Sequence, residues 1–295
     1  MKKKLLVSFS GGETSAYMAM YLWLNKRDEF DMTFVFANTG QENEETLEFV
    51  NSFSKHFGIH VNWIEAVVHH GKRKSSTHKI VDYESANRDG SVFEEAIKKY
   101  MIPNMKNFIC TRELKLRPIQ SFARSLGWKR GDYYTAIGIR VDEVDRVSDE
   151  RKKEKLIYPL IEYIPKTKID INTFWNSMPF RLNLKGYQGN CKTCWKKSWR
   201  KLGTIAVENP EHFNFFRDME AKYSNFISDG RKHNPTMIPP FYFFRKNMPV
   251  DYIFQSVITD PNFQLATDDS SVYSKLSNGE DLDISNGCQE SCEVF

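Results

Sequence analysis

Leu5-Leu6-Val7-Ser8-Phe9-Ser10-Gly11-Gly12-Glu13-Thr14-Ser15 decides how the rest of the chain is read. Leu5 to Phe9 is a short apolar run of the kind that forms a buried strand, and a glycine pair ends it. From Thr14 to Asn25 the residues Tyr17, Met20, Tyr21 and Leu24 fall at helical spacing. The stretch is therefore a strand, a glycine turn and a helix. The alternation continues with a strand over 32–37, a helix over 44–57 closed by Gly58, and a strand over 59–68. Such alternation predicts an α/β fold built on a doubly wound parallel sheet. Helices are expected at 92–100, 113–126 and 211–223, strands at 133–139 and 156–160, and a short capped helix at 170–175. Residues 69–90 are polar and basic without a period, and read as a long functional loop over the strand ends.

The turn itself carries chemistry. Glycines let the backbone approach an anion, the helix N-terminus presents N–H groups, and Ser10, Thr14 and Ser15 add hydroxyls. The plain alternative is a tight turn with a Ser/Thr cap. No Lys follows the second glycine, so the loop is not of the Walker type.

Composition sets the limits. The chain has 295 residues with 42 Lys and Arg against 38 Asp and Glu, and only five Cys. A chain of this length can bury a full core without disulfides, and no run approaches the ~20 apolar residues of a membrane span. A soluble, cytoplasmic protein with reduced cysteines is expected. Charge is unevenly spread: residues 268–295 hold seven acids against Lys275 alone, a net of −6, so the total of +4 leaves +10 on the rest. Between Lys185 and Lys201 the cations interleave with Trp195 and Trp199, which suits either a solvated face or a surface for RNA or DNA.

Four blocks, taken in order, resemble the PP-loop ATP pyrophosphatases, or adenine nucleotide alpha-hydrolases, and within them the phosphoadenylylsulfate (PAPS) reductase family. Ser10-Gly11-Gly12-Glu13-Thr14-Ser15 is similar to the family's SGGxDS, and Asn38-Thr39-Gly40-Gln41-Glu42-Asn43-Glu44-Glu45-Thr46 to its DTGxxFPET. Cys110-Thr111-Arg112-Glu113-Leu114-Lys115-Leu116-Arg117-Pro118 resembles its Cys-x4-Lys-x2-Pro block, and Gly138-Ile139-Arg140-Val141-Asp142-Glu143 its GIRxxES segment. The resemblance implies a nucleotide-binding domain over 1–180 and a smaller Cys-containing region over 181–295. It implies ATP, or a related adenine nucleotide such as PAPS or APS, held by Ser8, Ser10–Ser15, Asn38, Thr39, Gly40, Gly138 and Arg140. Thr14 stands where the family has the loop Asp that helps hold Mg, and Asn38 replaces the Asp after the second strand.

Sulfur chemistry is the activity the resemblance implies, and the cysteines divide its branches. Cys110, Cys191 and Cys194 resemble the three-thiolate set that holds an iron-sulfur (4Fe-4S) cluster in sulfur-inserting relatives, where the open iron suits an exogenous sulfide or thiol donor. That branch transfers sulfur to a nucleobase or nucleotide. The other branch is a sulfonucleotide reductase whose attacking thiol comes from Cys288 or Cys292, although the reductases' Glu-Cys-Gly-x-His ending is absent in that form. Arg112 and Lys115, at a helix start beside Cys110, join the catalytic candidates because cations there oppose the helix dipole. A third alternative is a non-catalytic nucleotide- or nucleic-acid-binding module with structural zinc on Cys191, Cys194, Cys288 and Cys292.

Overall fold

Leu5, Leu6 and Val7 have no exposed surface, and successive residues face opposite sides of the sheet, as the period of a strand requires. Leu5 and Val7 join an apolar cluster with Ala16, Phe36, Val50 and Trp175, whereas Leu6 packs with Val35, Ile64, Ile119 and Phe122. Helices thus cover both faces. A computed structural model describes residues 2–271. Its sheet contains β1 (Lys3–Ser8), β2 (Phe30–Asn38), β3 (Val61–Val67), β4 (Thr77–Val81), β5 (Tyr133–Ala136) and β6 (Leu156–Ile157) in the order β4-β3-β2-β1-β5-β6. All neighbours run parallel except β3 with β4. Helix α1 (Glu13–Asn25) follows β1, and α2 (Glu44–Phe57) follows β2, ending on the left-handed Gly58.

Three expectations change. The stretch 69–90 is not all loop: β4 pairs antiparallel with β3 in register from Trp63↔Val81 to Val67↔Thr77. Ile80 is 67% exposed on this edge strand, so the segment carries no apolar pattern, and only its partner reveals it. After α3 (Ser91–Tyr100), the helix expected over 113–126 starts earlier, as a π-helix over Cys110–Leu116 that runs into α4 (Arg117–Ser125). The strand expected at 156–160 stops at Ile157 because Tyr158 and Pro159 open α5 (Pro159–Glu162). Helix α6 (Lys168–Asn176) is capped by Thr167, whose hydroxyl accepts from Asp170 N.

The later region is more helical than its sequence indicates, with α7 (Trp199–Glu208), α8 (Asn214–Tyr223) and α9 (Val250–Thr259). Leu202, Ile205, Phe216, Met219 and Ile253 share one apolar cluster with Phe93, Ile97 and Leu114, so these helices core against α3 and the π-helix. Glu220 is buried at their centre and accepts from Phe243 N at 3.1 Å and Val250 N at 2.8 Å. Burial pushes its carboxyl up to about 7 from 4.5, against the pull of those two donors. The folded state then keeps a proton that the unfolded chain loses above about pH 4.5, so stability falls as pH rises to about 7 and levels off beyond. The loss is expected to reach up to about 3 kcal/mol. Urea midpoints across this window should flatten in Glu220→Gln; an identical slope in the two proteins would remove Glu220 as the cause.

Candidate active site

The strand order reverses between β1 and β5, and ligands of doubly wound sheets bind at the carboxyl ends of the strands at such a point. The loop after β1 lies there. Phe9 N donates to Val35 O at 2.9 Å, which keeps the chain in the sheet up to the turn. Gly11 then takes φ +89°, and a Cβ on it would sit 2.6 Å from Thr46 Cγ2. Gly12 is the N-cap of α1, and no side chain caps that end. Ser15 Oγ braces the loop: Ser10 N and Oγ donate to it at 3.2 and 2.9 Å, and it donates to Gly12 O at 2.9 Å. A 13-residue helix with an uncapped start behind a glycine turn is a competent anion site.

Around this loop the expected residues hold one another. Glu13 is the anchor for the chain after α6: Arg181 Nε and Leu182 N donate to its Oε1 at 3.1 and 3.2 Å, and Trp175 Nε1 to its carbonyl at 2.9 Å. Arg140, 1% exposed, donates to Asp142 Oδ1 and to Thr14 Oγ1, both at 2.9 Å, and lies 3.4 Å from Glu143 Oε2. It braces the loop through Thr14 from within an ion-pair cluster. Gly138 permits the close approach of β5's end, since a Cβ there would lie 3.0 Å from Ser15 Cα. Ser8 is buried at the end of β1. Asn38 ties β2 to β3, donating to Glu65 Oε1 at 2.7 Å and Asn87 O at 2.9 Å and accepting from Gly40 N. Thr39 N and Oγ1 donate to the buried Glu42 at 2.8 and 2.9 Å.

Backbone pairing brings the CxxC segment to the same edge. Asn43 N donates to Asn190 O at 2.8 Å, Lys192 N to Gln41 O at 3.0 Å, and Glu42 bridges Cys191. Asn190 Nδ2 reaches Ser10 O at 3.0 Å, so the Ser10–Ser15 loop and the CxxC segment are directly joined. Cys110 arrives on the π-helix, a form that recurs at functional sites. Cys110, Cys191 and Cys194 line one cavity of about 20 Å³ with Lys115, Glu42 and Trp195. That space admits about one water. Thr111 Oγ1 and Trp195 Nε1 are buried there without hydrogen-bond partners. Three thiols match a soft metal or cluster in donor chemistry, while the space as it stands is that of about one water. As the side chains stand, no set of three His, Cys, Asp or Glu among the described residues has metal-holding geometry. Cys288 and Cys292 lie outside the described residues.

Arg112 pairs with Glu113 at 2.8 Å and stacks over the Tyr100 ring at 5.6 Å. Burial pushes the Glu113 carboxyl up, but the bonds from Arg112 and Ser76 outweigh it and hold the group low. Burial, then the Glu113 charge, raises Tyr100 to about 12.

Of the two tryptophans in the basic stripe, one is turned inward and the other is half-buried. Trp195 is 2% exposed and packs on Phe108 at 5.5 Å, and Trp199 packs on Tyr252 at 5.6 Å. Lys197 and Lys201 are buried, Lys197 donating to Cys191 O at 2.7 Å, and Arg200 caps the carbonyl of Leu265 at 2.7 Å. These cations stiffen the CxxC segment and the start of α7.

The model of the phosphoadenosine phosphosulfate reductase domain matches residues 4–151, half of the chain. The chain belongs to this family. The phosphoadenosine phosphosulfate reductase domain therefore covers β1 to β5 with the loop, Cys110 and Arg140, while the CxxC segment lies beyond the match. The chain is 28% identical over 293 residues to an uncharacterized nin region protein of Escherichia phage lambda, covering 98% of this chain and 94% of that one. It is also 27% identical over 242 residues to an uncharacterized protein of Methanocaldococcus jannaschii, covering 79% of this chain and 44% of that one. No helix among the described residues is long and apolar enough to cross a membrane.

Glu42, Asn190 and Lys197 are the site residues that sequence reasoning missed. Glu42 lies within the Asn38–Thr46 segment with no local signal of its role, and nothing in the sequence pairs residues 41–43 with 189–192.

Proposed function

We propose that this family member binds ATP on the Ser10–Ser15 loop, transfers its adenylyl group to an oxygen of a nucleobase or nucleotide with release of pyrophosphate, and uses the Cys110, Cys191 and Cys194 site to hold an external sulfide that replaces that oxygen as AMP leaves. The observation that carries the reading is the meeting of three thiols, distant in sequence, on one cavity joined to the loop through Asn190. The loop's N–H groups take the phosphates, and the braced hydroxyl of Ser15 keeps the turn open. Lys115 supplies positive charge to the thiols, and Phe93, Trp195 and Phe216 wall the cavity against water. Cys110, Cys191 and Cys194 would hold an iron-sulfur cluster, which supplies an iron that can accept an external sulfide. Glu42 holds the turn after β2 through Thr39, and with it the strand pairing that carries Cys191.

The test is a visible-range spectrum of anaerobically purified protein together with an ATP titration by calorimetry. Charge-transfer absorption and saturable ATP binding are expected. ATP binding without absorption or bound iron would reject the cluster and leave thiol chemistry on a nucleotide; neither signal would reject the reading altogether.

A further inference from the structure

A second cavity, of about 360 Å³, opens beside the segment that leads into the π-helix. Its volume falls within the range of small-molecule sites. Met101, Met237, Phe241 and Phe244 give it an apolar floor, and Lys106, Arg231 and Lys246 give it cations. No carboxylate is among its described lining residues. On a chain with 38 acidic residues, a cavity bearing three cations and no acid selects against cationic ligands and for anions.

The rim is built and held. Asn247 Oδ1 accepts from Tyr242 N at 2.8 Å, and its Nδ2 donates to Pro240 O at 2.7 Å. Arg231 Nη2 donates to Asn107 Oδ1 at 3.0 Å, while Asn107 Nδ2 donates to Tyr100 O at 2.9 Å and Ile102 O at 3.1 Å. Met101, Lys246 and Asn247 all line the cavity with positive φ, of 74°, 58° and 57°. Met101 has ψ 172°, a conformation that side chains rarely adopt, and such backbone clusters at ligand sites. Arg231 is pushed below its ordinary value by burial and then by the charge of Arg112.

We infer that this cavity binds a small molecule combining an aromatic ring with a phosphate, of the chemistry of a nucleoside monophosphate. The ring lies against Phe241 and the methionines, and the phosphate meets Arg231 with Lys106. A role for that ligand as sulfur acceptor would rest on the function proposed above, whereas the binding does not. Asn107, in the cavity wall, precedes Cys110 by three residues, and Phe108 between them packs on Trp195 of the thiol cavity.

The test titrates the common ribonucleoside 5′-monophosphates, each against its nucleoside, into Gly12→Val protein by calorimetry. At least one monophosphate should bind saturably and its nucleoside at least tenfold more weakly. Arg231→Gln should weaken the monophosphate at least tenfold, Lys106→Glu several-fold, and the cavity-filling Met237→Trp should abolish binding. Lys106 is exposed, so its variant keeps the test decisive if Arg231→Gln fails to fold. No monophosphate binding, equal binding of nucleosides, or affinity indifferent to Lys106→Glu and Met237→Trp would each overturn the inference. Failure of the loop assignment appears separately, as ATP affinity untouched by Gly12→Val, and the cavity variants are then read in the wild-type background.

Discussion

Gly12→Val is expected to cut adenine nucleotide affinity at least a hundredfold while leaving the melting temperature nearly unchanged, and Gly11→Val to do the reverse damage. The two neighbours differ in what their backbones and surroundings tolerate. Gly12 has φ −95° and ψ 161°, an extended conformation that any residue adopts, and it stands at the uncapped start of α1. A valine there suits the backbone and places its methyls against the N–H groups that a phosphate needs; a hundredfold loss corresponds to about 2.7 kcal/mol. Gly11 has φ +89°, and its Cβ would fall 2.6 Å from Thr46 Cγ2 and 3.0 Å from Phe36 Cε2. Valine at that position combines backbone strain with overpacking, a cost of about 2–4 kcal/mol in stability. Calorimetric titration of ATP beside thermal unfolding of both variants separates the two. Unchanged ATP affinity in folded Gly12→Val protein would sink the phosphate-loop assignment.

The parts of this molecule that were legible in the sequence are those whose local signal and tertiary fate agree. Leu5–Phe9 is buried on both faces, so its unbroken apolar run is the expected pattern of a parallel central strand. Gly58 ends α2 in the left-handed conformation, and that stop signal is local too. β4 was hidden for the opposite reason. Its five residues are half-buried or exposed, and the segment is a strand only because β3 offers it an edge. Helices α7 and α9 were also illegible: Trp199-Arg200-Lys201 reads as basic surface, and α9 is rich in β-branched residues of weak helical preference. Packing against the π-helix and α3 overrides both.

The site was legible to the same degree. The glycine turn and Cys110 could be picked out because their residue types carry chemistry wherever they stand. Which charges point inward could not. Arg140 follows Gly138 closely in sequence, yet its burial among Asp142, Glu143 and Thr14 makes it a brace of the loop. The Lys185–Lys201 stripe shows the same effect at larger scale, since a run of cations looks alike whether it faces solvent or, as Lys197 does, holds the carbonyl of a cysteine.

Replacing Cys110, Cys191 or Cys194 singly by Ala should remove iron from the anaerobically purified protein almost completely, and not by thirds. A cluster held by three thiolates loses its hold when two remain, because two-point attachment leaves it open to solvent and to exchange. The geometry adds a reason for collective behaviour. Cys191 is fixed by strand pairing to Glu42 and by Lys197 on its carbonyl, Cys194 is buried, and Cys110 enters from a different segment. No neighbouring thiol among the described residues can substitute for a lost one, since these are the three cysteines described. Cys288→Ala and Cys292→Ala should retain iron, which separates the cluster reading from structural zinc on Cys191, Cys194, Cys288 and Cys292. Iron and zinc analysis of the five variants decides the matter. One equivalent of zinc that survives Cys110→Ala and disappears with Cys288→Ala would refute the cluster, and with it the role assigned to the π-helix in carrying a ligand.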